Sequence, residues 1–221
     1  MGGIFNLDGP FYRFGSVLWD IMALSLLWIL FSLPVFTIGA STTALYYVMT
    51  KRVSKKEGYI TRDFWRSFIC NFKQSTLIWL LGAAGVLLIV FNIRLIFDNP
   101  ESLALPPKLL MIMLPMQILL LIEFVLFGLY VFPIIARFDI RGKTLFKTAM
   151  LMAHKHLPSS VMLLLMFFTL ASFVYVSPNL FLIVFFPGIY AYAAAFFFVR
   201  IFRKYRPDMD KDDDLPESAA Y

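Results

Sequence analysis

"SLPVFTIGASTTALYYVMTKR", residues 32–52, lies where a long apolar run ends and a basic segment begins. A membrane helix that simply ran out into a charged loop would have no use for its proline, its glycine and its cluster of small hydroxyl residues. Pro34 lacks an N–H and disfavours helix in the residue before it. Gly39, Ser41, Thr42 and Thr43 are small enough to let another helix approach, or to bond backbone groups freed near the proline. The favoured reading is a kinked end on one long helix. The other is a shallow re-entrant turn in which 44–50 returns to the face it left. Irregular backbone at membrane depth survives only when packed in protein or lining a wet cavity, so both readings make this segment an interior surface.

Composition sets the class around it. Of 221 residues, 60% are hydrophobic and 15% charged, against about 45–50% and about 25% in soluble domains. The mean hydropathy is +0.77. Runs of roughly 20 apolar residues, each long enough for about 30 Å of hydrocarbon, predict helices over 17–36, 74–97, 109–136, 159–177 and 180–202. The expected fold is an all-α polytopic transmembrane bundle of about five spans, occupying 1–203 as a single domain, with a disordered acidic tail at 204–221. The runs lack the alternation of a barrel strand. Arg13 is the one basic side chain before the first run, and no small-residue cleavage site precedes it, so a removable leader is not expected. Asn6 also stands where a myristoylation signal requires Ser or Thr. The single cysteine, Cys70, leaves no intrachain disulfide and reads as a buried or lipid-facing thiol.

Basic residues orient the chain. Lys51, Arg52, Lys55, Lys56, Arg62, Arg66 and Lys73 crowd the segment at 51–73, and Arg137, Arg141, Lys143, Lys147 and Lys155 the one at 137–158. The C-terminal part adds Arg200, Arg203, Lys204, Arg206 and Lys211, whereas 98–108 has only Lys108 and 177–179 has none. The positive-inside rule places both basic segments and the tail in the cytoplasm. With five crossings, the N-terminus is then expected outside. The formal charge of +6 belongs to that basic face and to anionic lipid headgroups, and gives no reason to propose nucleic acid.

In "DFWRSFICNFKQS", Phe64, Trp65, Phe68 and Phe72 recur at helical spacing away from Arg62, Arg66 and Lys73, which predicts an amphipathic interface helix with Trp65, Arg66 and Phe68 as candidate contacts. "KTLFKTAMLMAHKHLP" repeats the pattern. Each leads into a pair of spans, which suggests two similar units, 51–136 and 137–203, after an extra first span.

Residues 6–75 resemble the opening of the YesL-like family of bacterial membrane proteins, most specifically in "SLPVFTIGASTTALYY", "EGYITRDFWRSF" and "NFKQ". The family has no established biochemical function, its members come mostly from Gram-positive bacteria, and they often accompany carbohydrate uptake and degradation systems. The resemblance implies a bacterial cytoplasmic-membrane location and a link to a sugar ABC importer. It supplies no catalytic residues.

The chemistry-bearing residues are few. There is no Walker A loop. His154 and His156 stand two apart, so on a helix they point to different sides and do not form an i, i+4 metal pair; both read as interfacial. "DMDKDDD" imitates the first ligands of a calcium loop at Asp208, Asp210 and Asp212, but has Asp213 where glycine is needed and Ala219 where glutamate is needed. No cofactor or metal is expected. Among intramembrane charges, Glu123 falls mid-span and should face other helices, with a hydrogen bond to Ser, Thr or Tyr as the bland role and proton or substrate handling as the sharp one. Arg94 can snorkel, or pair with Asp20 if the N-terminus is outside. The lack of catalytic sets points to a non-enzymatic membrane protein, and the resemblance implies an accessory subunit that packs against the permease of a carbohydrate ABC importer or modulates it. The alternative is a small transporter or channel, with Glu123 and the break at 34–43 lining its path.

Overall fold

A computed structural model describes residues 10–54, 58–98, 106–177 and 179–205. Among them the chain forms α1 (Pro10–Ser32), a 3-10 turn (Val35–Thr37), α2 (Ile38–Val53), α3 (Ile60–Asp98), α4 (Pro107–Arg137), α5 (Gly142–Lys155), α6 (Leu157–Val176) and α7 (Leu180–Tyr205), with no strand. Five helices are long and apolar enough to cross a membrane: α1 from Gly15, α3, α4 from Met111, α6, and α7 from Leu182. The chain is thus an all-α bundle whose spans match the apolar runs. The acidic tail from 206 onward, Lys55 and Lys56, and most of the 98–108 connection lie outside the described residues.

The opening stretch corrects the kinked-helix reading. Helix α1 stops at Ser32, Pro34 takes extended backbone (φ −75°, ψ 106°), and α2 runs back antiparallel to α1. Two contacts fix that direction. Trp28 donates to Thr42 Oγ1 (3.1 Å) near the turn, and Arg52 reaches Asp20 (2.6 Å) and Ser16 at the far end. Proline acts here as a stop rather than a kink because Thr37 caps the break: its hydroxyl lies 2.6 Å from the Pro34 carbonyl and 2.5 Å from that of Phe31, taking up acceptors that the ended helix leaves open. The expectation that the N-terminus lies opposite the basic segment falls with the kink. The start of α1 and the Lys51–Arg52 end of α2 sit at the same end of the hairpin.

Helix α2 is about 24 Å long at 1.5 Å for each of its 16 residues, and nearly all of it is buried: Ala40, Ser41, Thr43, Ala44, Met49 and Thr50 have no exposure at all. It is covered by α3 on one side and by α1, α4 and α7 on the others. The hairpin continues antiparallel into α3, through Lys51–Asp63 (2.9 Å) at one end and Trp79 Nε1 donating to the Val35 carbonyl (2.9 Å) at the other.

The segment at 60–73 is not a separate interface helix. It is the first part of α3, an unbroken helix of 39 residues, about 58 Å, well beyond the roughly 30 Å of a hydrocarbon core. Nothing between Phe72 and Leu80 stops it, since Ser75 and Thr76 are tolerated in a helix. In the second half Pro158 follows α5, and a new helix starts at Leu157. The two units proposed from sequence therefore differ at their junctions.

Helices α3 and α4 pair antiparallel, with Gln74 Nε2 donating to the Ile140 carbonyl (2.9 Å) and Gly85 beside Phe124. Helix α5 folds back along α4, and α6 and α7 form a last hairpin closed by Phe167 against Phe186 and Tyr190. One core joins all seven helices, from Leu24 through Ala44, Phe64, Tyr130, Leu145 and Leu163 to Phe198. Leu80, Leu81, Leu87, Leu88, Phe91 and Phe97 of α3 remain exposed, as lipid-facing residues should.

Candidate functional site

The hairpin seam is built from the residues the sequence singled out. Gly39 lies against α3 so closely that an added Cβ would overlap the Ser75 carbonyl oxygen and come within 2.7 Å of Trp79 Cβ. Close approach of backbones needs a residue without a side chain, and glycine supplies it. Ser41 Oγ donates to the Thr37 carbonyl (3.1 Å), and Thr43 Oγ1 lies 2.9 Å from both the Gly39 carbonyl and Ser75 Oγ. The hydroxyls of Ser41, Thr42 and Thr43 are each bonded inside the chain, whereas Ser32 Oγ and Thr76 Oγ1 are buried without a partner among the described residues. Thr42 and Thr43 were expected to serve backbone groups freed by Pro34, but Thr37 and Trp79 do that work.

At the far end of the hairpin, α1, α2 and the start of α3 border a half-open pocket of about 140 Å³ whose lining includes Ser16, Asp20, Lys51, Arg52 and Asp63. The Asp20–Arg94 pair does not form. Asp20 bonds Arg52 instead, because the hairpin returns Arg52 to the level of α1's first turns, while Arg94 is exposed near the end of α3. Arg137 closes the same end from α4. Its Nε donates to Thr50 Oγ1 (2.7 Å) and its guanidinium stacks 5.4 Å above the Tyr47 ring.

Of the candidate interface residues, Trp65 is half exposed and Phe68 is buried. Phe31 of α1 packs against Phe64, Trp65 and Phe68 with ring centroids 5.1–5.7 Å apart. Most of the predicted outward aromatic face therefore holds α1 to α3, and Arg66 is half-buried beside it.

Glu123 has a partner the sequence reading did not give it. Its Oε1 lies 3.1 Å from His154 Nε2, across from α5, and His154 Nδ1 is 2.8 Å from the Met150 carbonyl. His156 does point elsewhere, to the Tyr205 hydroxyl (3.1 Å). The spacing of the two histidines separated their directions correctly, but only the fold-back of α5 brings His154 to the acid. A second missed contact joins α1 to α7, where Gly188 N donates to Ser25 Oγ (3.0 Å) beside the Ile21 carbonyl. The Pro187-Gly188 pair inside a span was its signal.

Among the described residues, no group of three or more His, Cys, Asp or Glu is placed to hold a metal ion. No curated protein and no solved structure matches the chain. Residues 21–93, from α1 to near the end of α3, match the model of a family described as a protein of unknown function, DUF624, so the similarity that can be traced runs through the hairpin and the long helix it packs on.

Proposed function

We propose that the protein is a non-enzymatic, multi-pass component of the bacterial cytoplasmic membrane that works by packing against a membrane partner, with the permease of a carbohydrate ABC importer as that partner. The observation that carries this reading is the sealed seam. Ser41, Thr42 and Thr43 spend their hydroxyls on other groups of the chain, and Gly39 leaves no space against Ser75, so the break serves packing rather than passage. The resemblance to YesL-like proteins supplies the carbohydrate link. In this reading the start of α1, the Lys51–Arg52 end and the last turn of α7 share the cytoplasmic face, an even count of six buried or spanning helices running from the first to the last.

The transporter reading required Glu123 and the break at 34–43 to share one path. Glu123 faces α5, whereas the break faces Ser75 and Trp79 of α3. The two are served by different neighbours, which favours the packing role.

Co-purification in mild detergent, with and without co-expressed carbohydrate ABC importer permease subunits, tests the proposal. A complex that survives size exclusion supports it. Sugar transport by the purified chain alone in liposomes overturns it.

A further inference from the structure

The His154 ring is bracketed by two groups that, in their ordinary states, only accept hydrogen bonds. The Met150 carbonyl, 2.8 Å from Nδ1, requires a proton on that nitrogen. Nε2 then faces Glu123 Oε1 at 3.1 Å. A neutral ring would turn a lone pair toward a carboxylate that also accepts only. The contact is a hydrogen bond in just two states: an imidazolium donating to a carboxylate, or a carboxylic acid donating to a neutral ring. Both hold one proton more than the separated neutral histidine and carboxylate. Glu123 Oε2 is buried without a hydrogen-bond partner among the described residues, so the acid depends on its Oε1 contact.

We propose that Glu123 and His154 together form a binding site for one proton, and that this proton fastens α5 to α4. Apolar groups also hold α5: Phe146 lies against Phe127 of α4 at 5.1 Å, and Leu145, Ala149 and Met152 are buried. The proton supplies the polar end of that clamp. When it leaves, the Nε2 lone pair and the carboxylate repel, and α5 loosens from α4 as one rigid helix, Phe146 at its other end included. The charged groups nearby are few. Glu123 is the group from α4 that acts on the ring, Lys147 and Lys155 share its helix, and α3 presents the apolar Gly85 region to α4. From α7, Lys204 acts on His156 instead.

The Met150 carbonyl, and after it Glu123, hold the His154 ring above its ordinary value of 6.5. Burial, with Lys204 and Lys155, holds His156 below it. A group raised on folding contributes its stabilisation fully below the unfolded value and loses it as pH rises through the folded one. The clamp is therefore closed in acid and opens on the alkaline side of 6.5.

The chain has two histidines, so ring-nitrogen NMR of the full protein in lipid nanodiscs resolves them, with His156→Gln giving the assignment. Fluorine-labelled phenylalanine at Phe146 reports α5 packing in the same sample. The expected result is a His154 midpoint above 6.5, a His156 midpoint below 6.5, and a Phe146 step at the His154 midpoint. Glu123→Gln should lower the His154 midpoint, and His154→Gln, which alters a half-exposed ring, should abolish the Phe146 step. A His154 midpoint at or below the ordinary value, or a Phe146 signal indifferent to pH, overturns the proposal.

Discussion

Replacing Gly39 by alanine adds one methyl group at the tightest point of the hairpin seam. That methyl would overlap the Ser75 carbonyl oxygen and stand 2.7 Å from Trp79 Cβ, where ordinary contact begins at 3.4 Å. Both obstacles are backbone or the first side-chain carbon, which cannot swing aside, so α2 must retreat from α3 by about 0.7 Å or more. The retreat stretches the 2.9 Å Thr43–Ser75 contact and the 2.9 Å bond from Trp79 to the Val35 carbonyl. Overpacking of this kind costs about 1–3 kcal/mol, and each weakened intramembrane hydrogen bond adds about 0.6 kcal/mol. The expected loss is therefore about 2–4 kcal/mol. Gly39→Leu should exceed it. Gly82→Ala is the matched control, because its new Cβ meets nothing within 4 Å and alanine is the better helix former. Thermal stability by fluorescence-detected size exclusion in one mild detergent reads all three variants. Wild-type stability for Gly39→Ala, or equal losses at Gly39 and Gly82, would refute the argument that α2 packs on α3 through this glycine.

Other substitutions test the remaining contacts. Thr43→Val keeps the shape and removes one hydroxyl, so it should cost about 1 kcal/mol, less than Gly39→Leu in the same assay; the reverse order would mean that the seam reads a polar ligand. Asp20→Asn should destabilise by no more than about 1 kcal/mol, because Arg52 is partly solvated and keeps its bond to Ser16, and a double-mutant cycle with Arg52→Gln should return a small favourable coupling energy. Gly188→Ala should loosen α1 from α7, as its Cβ would stand 2.6 Å from the Ile21 carbonyl oxygen; unchanged stability would contradict that crossing. Glu123→Gln should leave the protein folded and its co-purification with importer subunits intact, whereas loss of the complex would place Glu123 at the partner interface.

The helical class and the five long helices were legible because unbroken apolar runs report spans directly. Runs do not report direction. Pro34 marks a break, but whether α2 continues or returns depends on Arg52 finding Asp20 and on Trp28 finding Thr42, contacts between residues 32 and 14 positions apart. The parity of crossings, and with it the expected side of the N-terminus, inherited that ambiguity. Pattern reading recognised the aromatic repeat at Phe64 and Phe68 as one face, yet it could not show that Phe31 would cover it. Gly39 was found because small residues beside a proline carry a packing signal. His154 was not, because 31 residues separate it from Glu123 and only the fold-back of α5 closes that distance.

The returning hairpin is the central claim, and cysteine accessibility tests it most directly. In a Cys70→Ser background, Gly15→Cys and Tyr59→Cys mark the start of α1 and the exposed start of α3, and Asn179→Cys marks the α6–α7 connection. A membrane-impermeant thiol reagent applied to intact cells and to inverted vesicles assigns each a side. The account predicts that Gly15→Cys and Tyr59→Cys are labelled together, from the cytoplasmic side, and Asn179→Cys from the other. Labelling of Gly15→Cys and Tyr59→Cys from opposite sides would mean that residues 10–53 cross once, and would contradict it.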